Sequence, residues 1–463
     1  MKSGGTTREI TAEVIERYDT PVPRYTSYPP APYWSDSYSP EDHSERLDAS
    51  RGDGGVLSVY VHIPFCIRRC LFCACNVHVT RDEILPQKYL KALETEMDAA
   101  VAHLGVERQV SQFHVGGGTP THLTPTQLRE LMDMARGKFD ILPGAELSIE
   151  VHPTVTTAEH VSALADLGFN RVSMGVQDFD EGVQRRINRY QTFEETSRLV
   201  RDFRDHGFLS VNIDLVYGLP YQTQRGMEKT MEDILEIRPD RLAVYSYAHL
   251  PQEFPHQRGF PAAVIPAGRT KLDLLLAARN ALLAHGYEAV GFDHFCLSTD
   301  ELWSAFLRRK LQRNFMGYTT QAGKDLVAFG MSAISDVQGG YAQNAKDLDS
   351  YSGMTEENGL ATARGIRLSV EDMARKDAIM GFLCNGILDM RKLRETHGLA
   401  ADTVLEDAEH AEAKLVEAGL IVDVSRHRWV ATDLGRIFGR IVASTFDTYT
   451  RNAVNRPTFS RGV

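Results

Sequence analysis

The chain is predicted to be an α/β protein: a parallel sheet curled into a full or partial barrel, followed by a smaller, mainly helical unit. Three observations lead there. Short β-branched runs alternate with amphipathic helical stretches from residue 56 to about 292. The unusual motifs fall where those runs end, and the alternation stops near residue 360. Repeated strand–helix units build a parallel sheet and put reactive groups at the C-terminal ends of its strands.

Taken in order, the expected strands are 56–62, 110–115, 146–151, 171–176, 210–217, 241–247 and 287–292. Between them, apolar residues recur at helical spacing over 87–104, 125–139, 194–206, 227–237 and 270–285. Thr124 and Thr192 stand just before two of these stretches, where a side-chain oxygen can cap a helix. Past residue 360 the pattern predicts helices over 367–383, 390–397 and 405–418, then a hairpin from 420–424 and 428–431 before the stretch 433–444. Helices with a hairpin suggest a winged-helix-like module, but its charge offers DNA no clear invitation.

The chain has 463 residues, of which 43% are hydrophobic, enough for a large core and an appended domain. A formal charge of -11 argues against a generic nucleic-acid binder, without excluding a local basic patch. The first residues are mostly polar, without the apolar segment of a secretory signal, and no run approaches a transmembrane span. The cytoplasm is the expected compartment, and its reducing poise suits open thiolates.

Four of the six cysteines, Cys66, Cys70, Cys73 and Cys75, crowd the end of the first expected strand. A C-x-x-x-C-x-x-C loop can hold three irons of a four-iron cluster and leave the fourth open for chemistry. A structural zinc site usually needs a second ligand pair, and no second Cys pair or His-x-x-x-His occurs here. Thiols this close cannot all bridge one another as disulfides. Cys296 and Cys384 stand alone and read as buried thiols.

Other motifs sit at strand ends. Gly116-Gly117-Gly118-Thr119-Pro120-Thr121 follows the second strand, where glycines let backbone N–H groups approach a ligand. A glycine triplet alone is often only a turn, and a lone polar strand residue is usually solvated or a core hydrogen-bond partner. Glu150, Gln177-Asp178 and Asp214 follow on successive strands, however, and their register points to a shared site.

These residues carry a resemblance. The chain resembles the radical S-adenosylmethionine (SAM) enzymes, and within them the oxygen-independent coproporphyrinogen III oxidases, also called dehydrogenases. The similarity runs from Pro23-Arg24-Tyr25-Thr26-Ser27-Tyr28-Pro29 to Phe446-Asp447-Thr448-Tyr449. It includes Val61-His62-Ile63-Pro64-Phe65-Cys66, Ser173-Met174-Gly175-Val176-Gln177-Asp178-Phe179, Asn212-Ile213-Asp214-Leu215-Val216-Tyr217-Gly218-Leu219-Pro220 and Tyr247-Ala248-His249-Leu250-Pro251.

The resemblance implies a partial (β/α)6 barrel over 51–360, an N-terminal extension over 1–50 that helps cover the site, and a lid over 361–463. It implies one 4Fe-4S cluster on Cys66, Cys70 and Cys73, and two SAM molecules. The cluster-bound SAM matches Tyr60, Gly117, Glu150 and Ile334. The second matches Phe72, Gly118, Thr119, Gln177, Arg189, Asp214 and Ala248. Cys75, part of the family's C-x-C ending, is expected to take part in turnover near the second SAM or the substrate.

The implied reaction converts two propionates of coproporphyrinogen III to vinyl groups, giving protoporphyrinogen IX in haem biosynthesis. It needs an electron donor and an acceptor that the sequence does not identify. Arg24 and Arg313 are candidates for the substrate's carboxylates or, equally, structural arginines. Where the family pattern reads Asn-Phe-Gln-Gly, this chain has Asn314-Phe315-Met316-Gly317, so a thioether replaces an amide. A haem chaperone on the same barrel, or another tetrapyrrole-directed radical enzyme, is the alternative; the C-x-C ending and the motifs at 23–29 and 248–251 favour the oxidase. A monomer without membrane or nucleic-acid partners is expected.

Overall fold

The computed structural model describes residues 12–425, 427–452 and 459–461. Six strands, β1 (Leu57–Ile63), β2 (Arg108–Gly117), β3 (Phe139–Val151), β4 (Arg171–Gln177), β5 (Ser210–Tyr217) and β6 (Arg241–Ser246), pair in parallel, each with the next. Helices return the chain between them: α1 (Leu85–Leu104), α2 (Pro125–Lys138), α3 (Ala158–Asp166), α4 (Glu181–Ile187), α5 (Phe193–Asp205) and α6 (Gln224–Ile237). This is the six-unit α/β architecture that the family resemblance implies. In β1, Leu57, Val59, Val61 and Ile63 are all fully buried, as a strand flanked on both sides and covered by helices requires.

The capping residues act as their chemistry predicts. The Thr124 hydroxyl accepts from Gln127 N–H at 3.2 Å while Gln127 Oε1 accepts from Thr124 N–H at 2.9 Å, and Thr192 and Glu195 repeat the arrangement at α5. Each pair satisfies donors that the first helical turn leaves open.

The sheet extends beyond the six units at both ends. β7 (Tyr287–Val290) turns back into β8 (His294–Leu297), which inserts antiparallel beside β6. The expected strand 287–292 therefore stops early, with Gly291 at φ +62° in the turn. At the other end β9 (Asp325–Phe329) runs parallel to β1, followed by antiparallel β10 (Ile334–Val337), β11 (Gly340–Asn344) and β12 (Thr362–Arg367). β12 and β7 are the two edges of this twelve-stranded sheet, so it stays open. The sheet runs through Arg367, so the compositional break at 360 precedes its last strand.

A C-terminal unit follows. Helices Val370–Asn385, Met390–His397 and Asp402–Glu417 pack with a three-stranded antiparallel sheet in which Arg428–Ala431 lies between Ile387–Asp389 and Ile421–Asp423. Trp429 is fully buried there, its ring 5.8 Å from Phe446. The unit shares one continuous apolar core with the barrel. The N-terminal arm bridges them: Tyr25 donates to Asp447 Oδ2 at 3.0 Å, and Tyr28 Oη lies 3.1 Å from Thr448 Oγ1. Two motifs from opposite ends of the chain thus meet. Among the described residues no helix is long and apolar enough to cross a membrane.

Candidate active site

The strand C-terminal ends open onto a cavity of about 590 Å³. The loop after β1 enters it first. Phe65 and Cys66 pair with His78 and Val79, which ties the base of the loop. Leu71 N–H donates to the Ile187 carbonyl at 2.8 Å and Asn188 Nδ2 to the Arg69 carbonyl at 2.9 Å, which fasten the loop to α4. Cys66, Cys70, Cys73 and Cys75 are free thiols lining the cavity, whereas Cys296 and Cys384 are buried in a separate apolar cluster, as expected.

The thiols differ in acidity. Burial pushes Cys66 up to about 11 and raises Cys70, against which the Arg189 guanidinium acts from 3.7 Å. Hydrogen bonding from Cys75 pulls Cys73 down to about 7, and Cys75 is raised well above the usual thiol value by the same contact. Thiols held protonated by burial ionise when a cation takes the proton's place, so the set suits metal binding coupled to proton release. Among the described residues no three His, Cys, Asp or Glu side chains converge on one ion position. The cysteines face the cavity from separate points of one loop, an arrangement suited to ligands of different irons in a cluster.

The glycine triplet lies against this loop. Gly117 has φ +116°, and its N–H donates to Glu150 Oε2 at 3.0 Å. A Cβ there would come within 2.7 Å of the His62 ring. At Gly118 a Cβ would meet the Pro64 and Phe65 carbonyl oxygens at 2.8 Å, so only glycine lets β2 pass this close to the cysteine loop.

Glu150, at the end of β3, is opposed by burial, but His114 at 3.5 Å and the Gly117 N–H outweigh it and hold the carboxyl below its usual range. Asp214 on β5 is the opposite case. Burial, reinforced by the charge of Glu150, raises it to about 6, although Asn212 Nδ2 donates at 2.8 Å and Ser173 Oγ at 3.3 Å. One carboxylate is therefore committed to its charge and the other titrates near neutrality. Gln177 ends β4 at φ +72°, next to a register shift between Gly175 and Gln177 that turns its amide into the cavity.

Phe72, Thr119, Arg189 and Ala248 line the same cavity. Arg189 donates to the Gly175 carbonyl as well as lying on Cys70, so it joins the cysteine loop to β4 rather than standing apart from the loop. Tyr60 and Ile334 are not among the lining residues: Tyr60 stacks on His114 with ring centroids 5.8 Å apart, and Ile334 opens β10.

The sequence reading did not single out His62 and His114. Their signal was alternation: both point to the same side of adjacent strands as Tyr60 and Glu150. Arg24 reaches the cavity and donates to the Ser246 carbonyl. Arg313 does not line it; its guanidinium binds Asp293 at 3.4 Å and lies 4.6 Å over the Phe292 ring. Met316 lines the cavity, with Phe315 beside it.

Residues 60–234 match the radical SAM superfamily and residues 368–438 the HemN C-terminal domain. The chain is 42% identical to the oxygen-independent coproporphyrinogen III oxidase of Salmonella typhimurium, over 97% of this chain and 98% of the relative. It is 39% identical to that of Pseudomonas aeruginosa, over 98% of both. The solved structure of Escherichia coli coproporphyrinogen III oxidase (HemN), described as a radical SAM enzyme, superposes with a TM-score of 0.87 at 41% identity, covering 92% of this chain and 97% of that one. With a cysteine loop, a glycine turn and strand-end carboxylates around one cavity, and this agreement over almost its entire length, the chain belongs to the oxygen-independent coproporphyrinogen III oxidase family of radical SAM enzymes.

Proposed function

We propose that this protein converts two propionate side chains of coproporphyrinogen III to vinyl groups without oxygen, giving protoporphyrinogen IX. One observation carries the reading: three free thiols at C-x-x-x-C-x-x-C spacing face the same cavity as Glu150, Gln177 and Asp214. Cys66, Cys70 and Cys73 hold a 4Fe-4S cluster. With SAM bound beside it, that cluster would supply one-electron chemistry able to remove hydrogen from a propionate β-carbon.

The chain's own residues bind and orient. Gly117 and Glu150 hold the cluster-bound SAM, and Tyr60 and Ile334 are its further expected contacts although neither lines the cavity. Gln177, Asp214 and Arg189 supply polar contacts to a second SAM, while Phe72, Gly118, Thr119 and Ala248 flank it. Cys75, open to the cavity and not needed as a ligand, takes part in turnover. The N-terminal arm and the C-terminal unit cover the mouth and exclude water, which protects a radical. We place the enzyme in the cytoplasm as a monomer acting without nucleic acid.

The test is anaerobic reconstitution, then incubation with coproporphyrinogen III, SAM and a reductant. 5′-Deoxyadenosine should appear in step with a mono-vinyl intermediate and then protoporphyrinogen. Haem binding without decarboxylation would favour the chaperone, and a requirement for oxygen would contradict the radical reaction.

A further inference from the structure

The surface just outside the cysteine loop is basic, although the whole chain carries a formal charge of -11. Arg68 sits two residues before Cys70 and is exposed, and Arg185 and Arg186 are exposed at the end of α4, which the loop grips through Leu71 and Ile187. Exposed rings separate these charges. The Arg68 guanidinium lies 5.4 Å over Tyr190 and that of Arg186 lies 4.1 Å over Tyr221, and the two tyrosines are each 43% exposed. Ile67 adds an exposed apolar side chain beside them.

Arg185 has an acidic neighbour in Glu181 at 3.9 Å, but both side chains are largely in solvent, at 69% and 91% exposure, so that pair neutralises little of the patch. Among the described residues Arg68 and Arg186 are in no ion pair. Ile67, Arg68 and Tyr190 line the cavity, whereas Arg185, Arg186 and Tyr221 do not, so the patch runs from the cavity rim onto the outer surface. Arginine and tyrosine around an apolar residue make the composition of a protein-binding surface, and Arg185 and Arg186 stand outside the cavity in which a small carboxylate ligand would bind.

We propose that this patch docks a small acidic protein that carries single electrons. The inference rests on the cluster assignment above, because Cys66 and Cys70 put the cluster directly behind Arg68. On docking, one electron passes from the reduced carrier to the cluster: the carrier is oxidised by one electron, the cluster is reduced by one, and no bond or proton changes hands. Positive charge on this face selects an acidic partner from solution and orients its redox centre towards the loop, while the rest of the acidic surface repels it.

The test uses the reconstituted holoenzyme and a purified flavodoxin as the acidic carrier. Its affinity is measured by titration calorimetry, and cluster reduction is followed by stopped-flow absorbance with photoreduced flavodoxin or with dithionite. The double variant Arg185→Glu/Arg186→Glu should weaken flavodoxin binding and slow flavodoxin-driven reduction at least tenfold at low salt. It should also flatten their dependence on ionic strength, with iron content and dithionite-driven reduction unchanged. Equal flavodoxin affinity and rate in the variant would overturn the proposal. So would a selective rise in KM for coproporphyrinogen with dithionite as reductant, which would assign the patch to substrate carboxylates. A wild-type protein that takes up no iron would instead overturn the functional reading, and the patch's role with it.

Discussion

Asp214 is maintained at a cost to the fold, and Asp214→Asn exposes that cost. Burial and the nearby Glu150 charge raise its carboxyl from 3.8 to about 6 in the folded chain. A raised carboxyl favours the protonated form on folding, so this group penalises the folded state once it is ionised: the penalty is absent below the unfolded value and complete above the folded one. A shift of this size corresponds to about 3 kcal/mol at pH 8 and roughly half of that at pH 5. An amide at this position keeps the volume and leaves one oxygen for Asn212. Its N–H2 would face Ser173 Oγ, which can accept. The variant should therefore be more stable than wild type at pH 8 by up to this amount, with the difference shrinking as pH falls through 6 towards 4. Paired denaturant titrations of the two apoproteins at pH 8, 6.5 and 5 measure it, because carboxylates not coupled to Asp214 cancel between them and the Glu150 coupling is part of the same penalty. The same variant should lose at least a hundredfold in vinyl formation while keeping its iron. An Asn variant that is no more stable at pH 8, or a difference independent of pH, would refute the reasoning.

Other outcomes follow from the geometry. Gly118→Ala places a methyl 2.8 Å from backbone carbonyls of the cysteine-bearing turn, so it should cost about 1–3 kcal/mol and lower iron content after reconstitution, read by denaturation and metal analysis. Cys75→Ser should retain iron, sulfide and the cluster absorption but fail to make protoporphyrinogen, whereas serine at Cys66, Cys70 or Cys73 should abolish the cluster. Equilibrium binding to the wild-type holoenzyme should give two SAM per chain, and Asp214→Ala should bind one; a wild-type stoichiometry of one would remove the second site.

The legible part of the site was the part built from neighbours in the chain. Cys66, Cys70 and Cys73 come from one short loop, and the glycine triplet and Glu150 each end a strand whose β-branched or alternating pattern is visible locally. The two extensions of the sheet, β8 beside β6 at one end and β9–β12 beyond β1 at the other, were not legible. Its strands are four to six residues long, and Ser335, Asp336, Gln343 and Asn344 interrupt their apolar pattern. Arg189 likewise gave no sign that it would reach Cys70, because that contact depends on how α4 is followed by a left-handed residue, Asn188 at φ +55°.

By itself, then, the sequence determined the cysteine spacing, the strand–helix alternation and the capped helix starts, since each depends on residues within a few positions of one another. The tertiary structure decided what those pieces face. It set Tyr25 against Asp447 across 422 positions, set His114 behind Glu150, and raised Asp214 while holding Glu150 down. Burial and through-space charge act over ångströms rather than over chain separation, so they exist only once the sheet has brought its strand ends together.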